Sequence, residues 1–288
     1  MITDNALYIV ATPIGNLADI SQRALEVLAA VDLIAAEDTR HSAKLLQHYH
    51  ISTPMVAYHD HSNENQTRRL LKKLQAGGSI ALISDAGTPL ISDPGFKLVR
   101  EARHQDFQVV PIPGPCALIT GLSGSGLPSD RFIFEGFPPA KSGARKSAFE
   151  LLANEKRTLI YYESPHRILE SLTDMMEIFG GDRQVVLARE LTKNFEIFLS
   201  GSLENILQQL HADPNQQKGE MVIMLHGALI DPNATDISVE AQHTVTLLMT
   251  ELPLKKAAAL TAQITGEKKN KIYQWACTKG KSGDNEES

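Results

Sequence analysis

Three loops rich in glycine and proline are the strongest candidates for a ligand site in this sequence. They span residues 12–16, 85–95 and 111–116, and each follows a run of apolar residues. Glycine lets a backbone approach a ligand closely, and proline holds a loop rigid. None of the loops has the GxGxxG pattern or a GK[ST] motif, so a nucleotide pyrophosphate is not the indicated ligand. For one such loop alone an ordinary tight turn is the preferred interpretation, but three loops from one sheet favour a shared cleft.

The elements that must position these loops alternate between strands and helices. Apolar runs predict strands at residues 7–11, 33–36, 79–84 and 109–110. We expect Asp19 and Asn63 to begin two of the helices between them, because glutamine follows each by three residues. Continuous apolar strands separated by helices predict a mostly parallel sheet covered on both faces. Ligands bind outside the carboxyl ends of strands in such a sheet, which is where the three loops lie.

A second α/β region is predicted after a junction at residues 113–115. Its strands are expected at residues 132–136, 158–162, 184–188, 195–199 and 221–225. Few helices separate the last three strands, which indicates a mixed, partly antiparallel sheet. The predicted organisation is therefore an N-terminal α/β domain (1–118), a second α/β domain (119–230) and a small basic helical appendage that resembles a helix-turn-helix (231–288).

The charge of the chain is distributed unevenly. The net charge of the 288 residues is −6, which by itself argues against a partner rich in phosphate. Residues 255–281, however, hold seven lysines and one acid, Glu267, a local charge of +6 that leaves −12 on the rest. This asymmetry predicts that the appendage contacts phosphates, with a dimerisation element as the alternative.

Several classes of protein are disfavoured by the composition. No run of eighteen apolar residues is present, and residues 1–5 do not resemble a signal peptide, so we expect a cytoplasmic protein without a membrane span. The two cysteines, Cys116 and Cys277, are too far apart to indicate a disulfide framework or a zinc site. His59 and His61 lack a third ligand, and we interpret them as part of a substrate-facing surface, with no metal expected.

The loops resemble, in order, the pattern of the tetrapyrrole methylase family. The resemblance consists of a proline-containing turn after the first strand, a [GS]-D-x-G type loop, an I-P-G-x-[SC]-A segment and a late Gly-Glu-Met strand, and it covers roughly residues 6–226. Four strings resemble the branch that methylates the ribose 2'-hydroxyl of a cytidine in 16S ribosomal RNA, at residues 11–17, 36–40, 84–89 and 162–167. Ser84 replaces the glycine usual in porphyrin-type members, a departure that favours this branch.

The resemblance implies S-adenosylmethionine in a cleft between two α/β domains of a homodimer, with no metal and no covalent intermediate. Asp85 is expected to accept hydrogen bonds from the cofactor's amine or ribose, although an aspartate that starts a turn is the alternative. Cys116 is expected to offer a small side chain where the adenosyl group must pass close. The alternative is a small buried residue without a binding role, and burial is compatible with binding. The implied cofactor residues are Pro13, Asp85, Ala86, Gly87, Thr88, Pro89, Cys116, Ala117, Leu191, Glu220 and Met221.

Methyl transfer to a ribose hydroxyl needs alignment above all, which can supply up to roughly 7–11 kcal/mol of the barrier reduction. A general base would add about 10²–10⁴-fold. Glu37 and Asp38 are the first candidates for that base, because they follow a strand and precede Arg40, which could hold a phosphate. A cluster at a helix start explains the acid pair almost as well, and Glu163 is the second candidate.

The RNA contacts are expected at cations near these acids and in a basic, glycine-containing loop at residues 141–146. Basic residues at 68–73 fit a solvated helix face better. The expected RNA residues are Arg40, Lys141, Arg145, Lys146, Arg167 and Lys193.

The predicted function is S-adenosylmethionine-dependent 2'-O-methylation of a cytidine in 16S ribosomal RNA, free or within the small subunit. One alternative is a methylase for a tetrapyrrole or another small molecule, which the basic tail and the 141–146 segment disfavour. The other is a non-catalytic RNA-binding protein on a methylase fold, which the intact loops at residues 85–89 and 113–116 disfavour.

Overall fold

The computed structural model describes residues 3–59, 64–229 and 237–282. The chain divides into two compact units, Met1–Ala228 and Leu229–Ser288. The first residues of the predicted appendage, 231–236, and His61 lie outside the described residues. In the part of the chain that is described, no helix has both the length and the apolar character needed to cross a membrane.

The first sheet is entirely parallel, as the apolar strands predict. Its strands run in the order β3-β2-β4-β1-β5. They are β1 (Ala6–Val10), β2 (Leu33–Ala36), β3 (Met55–Ala57), β4 (Ile80–Ile83) and β5 (Gln108–Ile112). Successive residues of a strand point to opposite faces, and all five residues of β1 are buried. The sheet therefore has an apolar core on each side.

Four helices cover the two faces of this sheet. They are α1 (Gln22–Ala30), α2 (Thr39–His48), α3 (Glu64–Gln75) and α4 (Phe96–His104). The first two contribute to one core and the last two to the other. The prediction that Asp19 caps α1 was wrong, because Ser21 precedes the helix in an extended conformation and its Oγ accepts from the amide of Ala24 at 3.1 Å. Asn63 lies outside the described residues.

The second sheet is mixed, as predicted, in the order β6-β7-β10-β8-β9. Only the β6–β7 pair is parallel. The strands are β6 (Phe132–Gly136), β7 (Thr158–Glu163), β8 (Gln184–Arg189), β9 (Ile197–Ser202) and β10 (Met221–Leu225). The helices of this half are α5 (Ala117–Ser125), α6 (Ser142–Glu150), α7 (Ile168–Phe179) and α8 (Leu203–Ala212). Ile14 of the first half packs in one core of this sheet with Leu118 and Val222.

The basic segment at residues 141–146 is a helix start and not the predicted loop. Arg145 lies in α6, is 1% exposed and donates from Nε to Asp174 of α7 at 2.7 Å. Its guanidinium also donates to the carbonyls of Pro139 and Ala140. The prediction that Arg145 contacts RNA was therefore wrong, because this buried cation ties α6 to α7.

Between residues 237 and 282, the second unit forms three helices, α9 (Val239–Met249), α10 (Leu254–Thr265) and α11 (Lys269–Ser282). Val245, Ala258, Ile272 and Trp275 are buried in its small core. Gly266 ends α10 with φ of 74°, a left-handed conformation that glycine adopts without steric cost. The helix–turn–helix expected from the sequence is present in α10 and α11.

Candidate active site

The three loops that the sequence singles out meet at one edge of the first sheet. Thr12 and Gly87 exchange two backbone hydrogen bonds, of 2.8 and 3.0 Å, which join the first loop to the second. Thr88 Oγ1 donates to the carbonyl of Pro115 at 2.9 Å, which joins the second loop to the third. The predicted shared cleft therefore has a physical basis in direct contacts between all three loops.

A cavity of about 390 Å³ opens beside these loops and is closed by residues of the second sheet. Nine of the predicted cofactor residues line it, namely Asp85, Ala86, Gly87, Thr88, Cys116, Ala117, Leu191, Glu220 and Met221. Leu191 and Met221 are buried and give the far wall an apolar surface. Asp85 and Thr88 give the near wall polar side chains. This cavity is the candidate site.

The two predicted prolines do not line this cavity. Pro13 lines a smaller neighbouring cavity, and Pro89 is buried. Their placement therefore does not support the expectation that they contact the cofactor.

Several lining residues were not among the sequence candidates, and Tyr162 and Phe137 are the largest. Their rings contact each other with centroids 5.6 Å apart. The Tyr162 hydroxyl accepts from the amide of Leu118 at 3.0 Å, and burial raises its pKa, so it stays a neutral phenol. Tyr162 ends a predicted apolar strand and begins the string at residues 162–167 that resembles the family, so the sequence could have indicated it as a site residue. Phe137 carries no such signal, because only the fold brings it to the cavity.

Glu37 and Asp85 are interlocked at the carboxyl ends of β2 and β4. The amide of Asp85 donates to Glu37 Oε2 at 3.3 Å, and the amide of Asp38 donates to Asp85 Oδ1 at 3.1 Å. Both carboxylates line the cavity. Each is held by the backbone of the neighbouring strand end, so their positions are fixed before any ligand arrives.

Asp38 has a different role from its neighbour in the sequence. Its Oδ1 accepts from the amide of Arg40 at 2.8 Å, so Asp38 caps α2. The Arg40 guanidinium also donates to both carboxylate oxygens, and these hydrogen bonds lower the Asp38 pKa from 3.8 to about 2. Asp38 does not line the cavity. A carboxylate with these partners and this pKa is a poor base near neutral pH.

Glu163 lies at the cavity but is 2% exposed. Its carboxylate accepts from the Ser171 hydroxyl, from the amide of Ser164 at 2.7 Å and from the Arg167 guanidinium at 2.7 Å. Arg167 also donates to the carbonyl of Pro138. These contacts join the end of β7 to the start of α7, which favours a structural role for Glu163 over the predicted role of a base.

The predicted RNA cations are in different environments. The side chain of Arg40 is 91% exposed although it is paired with Asp38, and Lys141 is exposed at the start of α6. Lys146 is paired with Glu177 and Asp174, which raises its pKa. No cluster of the predicted RNA cations forms at the cavity.

Lys193 connects the two halves of the first unit. Its ammonium donates to Glu190 and Glu220, both at 2.8 Å. Burial lowers the pKa of Lys193, but these two hydrogen bonds outweigh it and the pKa is raised. The aliphatic part of Lys193 covers Gly15, where an added Cβ would lie 2.5 Å from Lys193 Cγ. Lys193 therefore holds the first loop against the segment that follows β8.

Non-glycine residues with positive φ occur at and beside the residues that line the cavity. Ser92, which lines it, and Leu90 have φ of 65° and 73°, and Glu190 and Thr192, on either side of the lining residue Leu191, have φ of 53° and 66°. Such conformations cost on the order of 1–3 kcal/mol each and cluster at functional sites. Their position next to the cavity supports its assignment as the functional one.

Comparison with known families agrees with this geometry. A model described as Tetrapyrrole (Corrin/Porphyrin) Methylases matches residues 6–207, and one described as RsmI C-terminal HTH domain matches residues 235–280. Among solved structures, a cobalt precorrin-4 methyltransferase and a diphthine synthase have similar folds. The first has a TM-score of 0.55 at 13% identity and covers 77% of this chain and 95% of its own. The second has a TM-score of 0.56 at 15% identity and covers 78% and 91%.

Relatives with much higher identity align over nearly the whole chain. A protein of Vibrio cholerae called Ribosomal RNA small subunit methyltransferase I is 58% identical over 269 residues, which is 93% of each chain. A protein of Pseudomonas aeruginosa with the same name is 56% identical over 277 residues, 96% of this chain and 98% of its own. The chain therefore belongs to the tetrapyrrole methylase family, in the group formed by the ribosomal RNA small subunit methyltransferase I proteins.

Proposed function

We propose that this protein transfers a methyl group from S-adenosylmethionine to the ribose 2'-hydroxyl of a cytidine in 16S ribosomal RNA. The observation that carries the proposal is the 58% identity, over 93% of both chains, to a relative named as a small subunit ribosomal RNA methyltransferase. The match includes the second unit with its basic segment at residues 255–281, which the tetrapyrrole methylase model at residues 6–207 does not cover. A ribosomal substrate would place the enzyme in the cytoplasm.

The cavity is suited to S-adenosylmethionine in size and chemistry. Its volume of about 390 Å³ is within the range of roughly 300–1,000 Å³ typical of small-molecule sites. Leu191, Met221 and Ala117 offer apolar contacts to an adenosyl group. Asp85 offers a carboxylate to a cationic amine or a ribose hydroxyl, and the amides of Ala86 and Thr88 can meet a carboxylate, while the amide of Gly87 is bonded to Thr12. The bound cofactor would supply an electrophilic methyl group.

The residues around the cavity would then orient the acceptor hydroxyl and accept its proton. Glu37 is the best-placed base, because its carboxylate lines the cavity and is held by the amide of Asp85. Asp38 caps α2 and Tyr162 remains protonated, so neither is suited to accept the proton. The interlocked acids would keep their geometry without reorganisation, which is the condition for electrostatic catalysis.

The second unit would bind RNA phosphates. Lys268, Lys269 and Lys271 lie at the start of α11, beside the turn at Gly266. In a helix-turn-helix the second helix contacts nucleic acid through its first residues. Lysines at that position therefore support RNA binding by this unit.

The proposal is tested by methyl transfer from labelled S-adenosylmethionine to small ribosomal subunits and to free 16S RNA, followed by mapping of ribose methyl groups. We expect one methylated cytidine with the parental protein. Asp85→Ala should weaken cofactor affinity by about 10–100-fold, the loss of a hydrogen bond to a charged group. Lys97→Ala is the matched control, because Lys97 is exposed on α4 and does not line the cavity. Transfer to a tetrapyrrole with none to RNA would support the small-molecule alternative.

A further inference from the structure

A second cavity of about 240 Å³ adjoins the first and has not been assigned a role. Six of its lining residues are Thr12, Pro13, His41, Ser42, Lys44 and Asp85. Asp85 also lines the 390 Å³ cavity. Asp85 therefore stands between two spaces, of which only the larger is accounted for by the methyl donor.

Ser42 gives this second cavity a polar group that the protein itself does not use. The residue is 2% exposed, lines the cavity, and its hydroxyl has no hydrogen-bond partner within the described residues. Burying a hydroxyl without a partner is unfavourable, and nearly all buried polar groups in folded proteins are paired. A partner supplied by a bound ligand accounts for this exception.

The remaining walls favour a ligand with both anionic and hydroxyl groups. Lys44 and His41 lie on α2 with exposed side chains, and both line the cavity. A lysine ammonium attracts phosphate, whereas the N-terminus of α2 does not add to this attraction because the Asp38 carboxylate already caps it. Asp85, on the opposite side, would repel a phosphate but accept a hydrogen bond from a hydroxyl.

We propose that the second cavity binds the ribose and phosphate of the target nucleotide, with Lys44 at the phosphodiester and the Ser42 hydroxyl at a sugar or phosphate oxygen. This proposal rests on the proposed methylation of RNA. It assigns the two cavities to acceptor and donor, with Asp85 and the neighbouring Glu37 at the boundary where the acceptor hydroxyl must meet the methyl group. Lys44 and Ser42 are thus substrate-binding residues.

The experiment compares Lys44→Ala and Ser42→Ala with the parental protein and with the control Lys97→Ala. Binding of a 16S RNA fragment containing the methylated cytidine is measured in the presence of S-adenosylhomocysteine, and cofactor affinity is measured separately by calorimetry. We expect Lys44→Ala to weaken RNA binding on the order of tenfold, as for a lost charged hydrogen bond, and to lower its salt slope by about 0.7–0.9. Cofactor affinity should stay within twofold, roughly the scatter expected for a residue outside its site.

Ser42→Ala provides the sharper test, because a structural role and a binding role predict opposite results. Removing an unpartnered buried hydroxyl should leave the melting temperature unchanged or raise it. If the hydroxyl binds substrate, RNA affinity nevertheless falls several-fold. A hydroxyl without a ligand would give a stable variant with parental RNA affinity, and this result overturns the proposal.

Two other outcomes are also decisive. If Lys44→Ala and Ser42→Ala weaken the cofactor and not the RNA, the second cavity belongs to the donor site and the proposal is wrong. If both bind RNA as Lys97→Ala does while the parental enzyme methylates the fragment, the acceptor lies elsewhere and the methylation proposal survives alone. An inactive parental protein, in contrast, contradicts the proposed function, and direct RNA binding still decides whether the cavity holds a nucleotide.

Discussion

Arg145 offers a quantitative test of the difference between a structural cation and an RNA contact. Its guanidinium is 1% exposed and is paired with Asp174, which is itself 8% exposed at the side chain. Arg145→Met removes the charge and keeps an apolar side chain of useful length. The change leaves Asp174 with only the Ser142 hydroxyl at 3.0 Å and the Lys146 ammonium at 3.7 Å.

The size of the effect follows from these contacts. Removing one partner of a buried ion pair costs about 3–5 kcal/mol, and the two remaining partners of Asp174 place the expected cost near the lower end. For a unit of this length each kcal/mol lowers the melting temperature by about 2–4 °C. We therefore expect a decrease of about 6–12 °C. Replacing both residues, in Arg145→Met with Asp174→Leu, should recover most of the loss, because no unpaired buried charge remains.

The assay is thermal unfolding of the parental protein, the single variant, the double variant and the exposed control Lys141→Ala. RNA binding is measured below every melting temperature, where each variant is folded. Arg145→Met should bind RNA with parental affinity. A variant that kept the parental melting temperature and lost RNA affinity would refute the reasoning, because its guanidinium would then have to face the substrate.

Four further predictions follow from the acids, the second unit and the expected assembly. Glu37→Gln should slow single-turnover methyl transfer by roughly 10²-fold or more with little change in cofactor affinity, whereas a parental rate would leave alignment as the main source of catalysis. Asp38→Asn should transfer methyl near the parental rate. Folding lowers the pKa of Asp38 to about 2, so the ionised carboxylate stabilises the parental protein above about pH 4, and this contribution is lost as the pH falls toward 2. The melting temperature of Asp38→Asn should therefore lie below that of the parental protein above pH 4 and approach it toward pH 2; a pH-independent difference in melting temperature would contradict this. A chain ending at Ala228 should retain cofactor binding and lose about 0.7–0.9 of RNA salt slope for each lysine contact removed, and an unchanged slope would make the second unit a structural element. Light scattering should give a homodimer at micromolar concentration, and a single 31.6 kDa species would exclude it.

The architecture was predictable where the sequence pattern reflects burial on both faces of a sheet. β1 and β4 read as continuous apolar runs and form central parallel strands. The edge strand β3 was missed, because only three residues pair and two of them are exposed. The start of α6 was missed because its glycine and basic residues suggest a loop, and the burial of Arg145 depends on Asp174, 29 residues further along.

The site was predictable to the extent that it is made of loops that follow strands. The 85–88 and 116–117 segments line the cavity where the sequence indicated. The roles of individual residues within the site were harder to predict from the sequence, because most of them depend on hydrogen bonds between residues distant in the chain. Asp38 is of a residue type that commonly caps helices, and its capping bond is local. The place of Glu37 at the cavity, in contrast, depends on the amide of Asp85, 48 residues away. The sequence pattern at Ser42 and Lys44 indicates only ordinary residues of a helix, because the cavity that they line is formed with residues distant in the chain.

The position of Lys193 over Gly15 also bears on how the two halves of the first unit are held together. Lys193 and its two acidic partners, Glu190 and Glu220, all belong to the second half, so both ion pairs would stay intact if the halves moved apart. They fix the side chain that packs on Gly15 of the first half, where an added Cβ would lie 2.5 Å from Lys193 Cγ. A side chain at Gly15 would therefore displace Lys193. Because Gly15 also lines the 240 Å³ cavity, a substitution there would affect the space proposed for the nucleotide as well as the contact between the halves.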